Sequence, residues 1–241
     1  MRKSTLLIFS VFLIVSCANE EITHKEESGF FSDDDNFEEC PDEMVAIGKI
    51  CMDRYEASRS DATAASEGVK IDAALSKKGV LPWMENPVTH ETYKMFKSAC
   101  EASGKFLCRD SEWVSACEGP EKLTYSWGNN WDRKICNNVD TFCDDYCLNN
   151  DIPEAQCSLF PDCGYEYYCF KPALTGEFEN CTNFAGIHDI AGNMWEITDT
   201  GNGYKIRGGA FNCAGAIERL KCTFAAGWSE LYGGFRCCKE R

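Results

Sequence analysis

Histidine is scarce in this sequence: His24, His90 and His188 are the only three among 241 residues. They fall at no paired spacing, so an HExxH metallohydrolase helix is excluded. No serine sits in a Gly-x-Ser-x-Gly elbow, which removes the nucleophile-elbow hydrolases. Positive charge is also short. Against 39 Asp and Glu stand 24 Lys and Arg, a net charge of −15. Such a surface repels phosphate backbones, so nucleic acid is not expected as a partner. No apolar run is long enough to span a bilayer as a helix. The unbroken run "LLIFSVFLIV" covers only residues 6–15.

That run has the length of a signal-peptide core, and Arg2 and Lys3 precede it as a short positive region. It ends in "IVSC". Ser16 directly before Cys17 resembles a bacterial lipobox, in which residues 1–16 are the lipoprotein signal peptide and Cys17 becomes the acylated first residue. Acyl chains on one residue anchor a protein without a transmembrane helix. The expected location is therefore exported, lipid-anchored to a bacterial membrane. Ala18 after the cysteine, in place of Asp, points to the outer membrane. Residues 17–39 come next as lipidated Cys and acidic tether: nine acids and one lysine between residues 18 and 39. Few large apolar residues interrupt them, so ordering entropy is not offset by burial. A solvated tether is the plain reading and an acidic binding tail the sharper one.

Residues 40–241 are long enough for one domain with its own core. Seventeen cysteines are too many for a reducing cytosol, and export explains them. Sixteen remain after Cys17, which allows eight disulfides, or seven with two free thiols. Seven of them, Cys136, Cys143, Cys147, Cys157, Cys163, Cys169 and Cys181, lie in residues 128–181, an Asn-, Asp- and Gly-rich insertion with little periodicity. Disulfides there would do what a hydrophobic core does elsewhere. The alternative is a zinc cluster, but no paired CxxC units are present and His188 is the nearest histidine.

The segment "MVAIGKICMDRYEAS" alternates weakly and reads as a strand entering the core, with Cys40 and Cys51 spaced to close a small hairpin. Residues 89–103 read as a helix, capped by Thr89 and ended by Gly104. Tyr93, Phe96 and Cys100 share its inner face. A second short helix starts at Asp110 or Ser111 and turns Trp113, Ala116 and Cys117 inward. "GYKIRGGAF" and "GGFRCC" read as short late strands. Early helices with irregular late strands make an α+β domain.

Five motifs stand in one order: "SGKFLCRDSEWVSACEG", "YSWG", "GIHDIAGNMWEI", "RGGAFNC" and "GGFRC". Together they resemble the sulfatase-modifying-factor family, over residues 44–238. That family includes the formylglycine-generating enzymes and envelope proteins without that activity. The resemblance implies a C-type-lectin-like single domain, low in regular secondary structure. It implies the disulfides Cys100–Cys237 and Cys117–Cys222, each closing more than a hundred residues, where chain-entropy models give roughly 4–5 kcal/mol. It also implies a calcium site, with carboxylates from Asp189 and Glu196 and carbonyls from Gly192 and Met194 forming a cage of hard oxygens. A tight structural turn with Asp189 as a cap is the plainer reading of that segment.

The family's enzymes hold Cu(I) between two thiolates spaced Cys-x4-Cys and use oxygen to convert a substrate cysteine to an aldehyde. Cys213 matches the first thiolate. The second falls on Glu218, a hard carboxylate where a soft ligand is wanted. Ala210 and Ala225 replace a polar serine and an arginine of the family site. Cys213 is thus expected in a disulfide, with Cys108 or Cys238 as candidate partners, because an unpaired thiol is short-lived in an oxidising compartment. Iron-using relatives bind metal through His-rich segments that this chain lacks. Two functions compete. One is a non-catalytic, lipid-anchored module that binds an envelope protein or glycan. The other is a copper-dependent oxidoreductase that uses Cys213 as its catalytic residue on exported proteins. Fold alone does not choose between them.

Overall fold

A computed structural model describes residues 38–139, 141, 149, 151, 170–212, 215–227 and 232–241. Cys17, the tether up to residue 37 and Cys213 lie outside the described residues. Short elements predominate. The segment read as one entering strand is two, β1 (Met44–Ile47) and β2 (Ile50–Asp53), folded into a hairpin with Ile47 opposite Ile50. Gly48 turns it at φ +59°, in the left-handed region that favours glycine. Cys40 and Cys51 are bridged beside it.

The first helix, α1 (His90–Ala102), begins at Thr89, whose Oγ1 accepts from Thr92 N while Thr92 Oγ1 accepts from Thr89 N, both at 3.2 Å. Gly104 follows at φ +71°. Tyr93, Phe96 and Cys100 are buried along its inner face. Phe96 stacks on Phe235 with ring centroids 4.0 Å apart, and Trp83 meets both edge-on. Three aromatic side chains removed from water make this a major part of the core. The second helix, α2 (Asp110–Glu118), buries Trp113, Ala116 and Cys117 against Met52, Ile187 and Ile190.

The remaining strands are β3 (Ala57–Ser58), β4 (Leu75–Ser76), β5 (Phe106–Leu107), β6 (Trp195–Asp199), β7 (Tyr204–Arg207), β8 (Gly233–Phe235) and β9 (Cys237–Glu240). A four-stranded sheet runs β1-β2-β9-β5, and a three-stranded sheet runs β7-β6-β8. β3 and β4 pair by themselves. β8 lies parallel to β6, and β9 continues directly from it into the other sheet. The chain's end therefore joins the two sheets.

Disulfides fasten this join. Cys100 is bridged to Cys237 and Cys117 to Cys222, the two pairings that the resemblance implies. Cys108 is bridged to Cys238 and Cys136 to Cys181. Cys108 and Cys238, the candidate partners for Cys213, thus hold each other. β5 explains that pairing: Phe106 stands opposite Cys238 and Leu107 opposite Cys237, which brings the next residue, Cys108, within reach of β9.

Candidate functional site

Arg207 closes β7 and anchors the turn that leaves it. Its Nε and Nη2 donate to the two oxygens of Asp110 at 2.8 and 2.9 Å. Its Nη1 donates to the carbonyls of Thr223 and Phe224. Thr198 Oγ1 and Lys205 Nζ reach the same Asp110 carboxylate at 3.0 Å. Burial works to raise the Asp110 pKa, but the donors from Arg207, Lys205 and Thr198 outweigh it and hold the group at about 2.

Gly208 and Gly209 then turn the chain at φ +88° and +75°. A Cβ on Gly209 would stand 2.4 Å from Leu220 Cδ1, so the backbone comes closer there than any other residue allows. Ala210 and Phe211 are buried, and Phe211 N donates to Asn193 O at 2.8 Å. The next helix, α3 (Ala216–Arg219), carries Glu218. That carboxylate is 64% exposed, and both of its oxygens accept from Lys221 Nζ at 2.8 Å. Ala225 is exposed. A solvated, lysine-paired carboxylate has little to offer a soft ion such as Cu(I).

Beneath this segment lies a buried ionic cluster. Arg236 is fully enclosed. Its Nε donates to both oxygens of Glu196, and its Nη2 to Oε1 at 2.6 Å. Its remaining donors reach the carbonyls of Asp53 and His188. Trp113 Nε1 donates to Glu196 Oε2 at 2.5 Å. These bonds fill the roughly four acceptor positions of the Glu196 carboxylate. Glu56 joins the cluster: Oε1 accepts from Met194 N at 3.0 Å and Oε2 from Asn193 Nδ2 at 2.6 Å. Asp189 Oδ2 accepts from Gly176 N at 2.6 Å.

Three buried carboxylates therefore share one guanidinium. Burial raises Glu56 well above the usual carboxylate range, and the charges of Asp189 and Glu196 raise it further. Burial also pushes Asp189 up to about 7, against the pull of Gly176 N–H and Arg236. Among the described residues, no three His, Cys, Asp or Glu side chains are grouped to hold a metal by themselves. An ion here would need backbone carbonyls too. The donor type fits a hard cation, since the groups are buried oxygens, and an ion would take the place of the protons that burial favours on Glu56 and Asp189.

Of the residues expected at the calcium site, Asp189 and Glu196 are both buried beside Arg236, in mutual electrostatic range. The turn between them is wound through left-handed Asp189, Gly192 and Asn193. Asn193 is its hub, with Oδ1 accepting from Asn137 Nδ2 and Ala173 N. Sequence reasoning missed Glu56 and Asn193. Glu56 lies in the run that reads as a strand entering the core, among Lys49, Asp53 and Arg54, so nothing in the sequence singles it out.

Ten of the sixteen cysteines after Cys17 are bridged to one another. The other six are Cys213 and the insertion's Cys143, Cys147, Cys157, Cys163 and Cys169, all outside the described residues. Any partner for Cys213 among the chain's domain cysteines is therefore one of those five.

Residues 23–241 match the family model of the sulfatase-modifying factor enzyme 1-like domain. A solved structure of CarF is similar at 12% identity, over 80% of this chain and 86% of that one, with a TM-score of 0.43. A structure of PvdO from Pseudomonas aeruginosa is similar at 13% identity, over 80% of each chain, with a TM-score of 0.44. No curated protein matches the chain.

Proposed function

The chain belongs to the sulfatase-modifying factor enzyme 1-like family, and from that premise we propose that it is a lipid-anchored envelope module without the copper oxidase activity. In this reading Cys17 carries the lipid, residues 18–39 give reach, and the domain binds an envelope protein or a glycan. The observation that carries the reading is Glu218. By the resemblance it falls at the position of the family's second thiolate, and its carboxylate is turned to solvent and paired with Lys221. Losing the second sulfur removes the soft two-thiolate environment for Cu(I).

The cysteine count supports a second reading. Five insertion cysteines cannot all pair among themselves. Cys213 is either bridged to one of the five or free, and if it is free at least one insertion thiol is left unpaired as well. The second outcome would supply a replacement sulfur and make the protein a copper-dependent oxidoreductase acting through Cys213. Alkylation of the unreduced protein followed by peptide mapping separates the two. A bridged Cys213 supports the module. A free Cys213 together with one free insertion cysteine supports the oxidoreductase.

Calcium belongs to the proposal as a structural ion. Asp189 and the carbonyls of Gly192 and Met194 would hold it, with Glu196 and Glu56 contributing negative charge. Its role would be to hold Glu56 and Asp189 ionised beside Arg236, in place of the protons that burial favours.

A further inference from the structure

We propose that the cleft between residues 123–127 and 180–184 is a binding subsite for a neutral saccharide. The inference rests on the binding-module reading and names the ligand class for it. The cleft encloses about 360 Å³, within the range of small-molecule sites. Its lining includes Ser126, Trp127, Asn180, Thr182, Asn183 and Phe184, and no charged side chain among the described residues. In a chain of net charge −15, an uncharged cleft selects a ligand that offers no charge.

Two aromatic rings border it. Trp127 is held in place: it stacks on Tyr125 with centroids 5.0 Å apart, and its Nε1 donates to Asn130 O at 3.2 Å. Phe184 is 55% exposed, so its ring is open to a ligand. It lies over Gly119, where a Cβ would come within 2.7 Å of the ring. Aromatic faces beside amides and hydroxyls match a sugar ring, which presents C–H faces and hydroxyl edges.

The polar groups divide into anchors and open positions. Asn183 is an anchor: Nδ2 donates to Ala116 O, and Oδ1 accepts from Ala185 N and Ile187 N. Asn180 is exposed and Thr182 half-buried at the cleft. Ser126 differs from both. It is 1% exposed and lines the cleft, and among the described residues its hydroxyl has no hydrogen-bond partner. A buried hydroxyl without a partner is costly, so a protein that keeps one has a use for it. A small shift of the cleft wall on binding would let a ligand hydroxyl satisfy it.

The test is saturation-transfer NMR on the full chain with four neutral disaccharides: maltose, cellobiose, lactose and diacetylchitobiose. At least one is expected to receive saturation on its ring protons. Trp127→Ala and Phe184→Ala should each abolish it. Phe184 is exposed, so its variant keeps the test valid if Trp127→Ala fails to fold. Ser126→Ala should weaken binding by about three- to tenfold, the worth of one hydrogen bond, without lowering the melting temperature. No transfer to any of the four, or transfer that survives Phe184→Ala, overturns the proposal. Binding of an uncharged peptide in place of the sugars would also overturn it. Neither failure touches the module reading, which is judged on Cys213.

Discussion

Replacing Arg236 by Met should be the most damaging single change that leaves the disulfides intact. The guanidinium makes three hydrogen bonds to Glu196 and reaches two backbone carbonyls, with both side chains fully buried. Its removal strands Glu196 and leaves Glu56 and Asp189 beside it without a cation. Breaking a buried pair by removing one partner costs about 3–5 kcal/mol, mostly as the penalty of the orphaned charge. For a domain of this size that corresponds to a fall of about 10 °C in melting temperature. Differential scanning calorimetry of the oxidised protein at pH 7 measures it. The double variant Arg236→Met with Glu196→Gln should recover part of the loss, because glutamine can still accept from Trp113 and carries no charge. The loss should also shrink at low pH, where the stranded carboxylates take up protons. A cost below about 1 kcal/mol would refute the reasoning, as would a double variant that costs the sum of the single ones.

Asp189 gives a pH signature tied to calcium. Its folded pKa of about 7 lies above the ordinary 3.8, so the folded state holds a proton that the unfolded state releases, and stability falls as pH rises from about 4 to about 7. Up to about 4 kcal/mol is at stake, and added calcium should restore it at pH 7 but not at pH 4. Asp189→Asn should flatten both dependences in a melting series. Asp110 runs the other way. Its pKa is held at about 2, so its contribution is present above about pH 4 and lost as pH falls through 2. With solvent screening that amounts to about 1 kcal/mol, and acid titration of Asp110→Asn should lack it. Cys17→Ala should stop incorporation of a labelled fatty acid and release the protein in soluble form.

Local chemistry was the legible part of this fold. Thr89 and Gly104 bound α1 because a cap and a left-handed stop act within one turn of the helix. The entering strand was read as one because weak alternation continues across Gly48, and only its positive φ shows the hairpin. β6 was not read as a strand at all. Four of its five residues are buried, which erases the alternation of a half-exposed strand, and its parallel partner β8 comes far later in the chain. The disulfides Cys100–Cys237 and Cys117–Cys222 came from family resemblance. Cys108–Cys238 depends on the register of β5 against β9, which no spacing reveals. At the candidate site, Asp189 and Glu196 were visible as acids in one motif. Arg236 and Glu56, which complete the charge balance, lie some 40 and 140 residues away from Glu196.

We propose that this family member does not carry out cysteine oxidation. Incubating the purified, full-length protein with Cu(I), oxygen and a cysteine-containing sulfatase peptide, then weighing the peptide by mass spectrometry, tests it most directly. The account predicts an unchanged cysteine peptide, because Glu218 is a hard, lysine-paired carboxylate where the reaction needs a second sulfur. A peptide carrying the aldehyde in place of its thiol would contradict the account and establish Cys213 as a working copper ligand with a thiolate partner from the insertion.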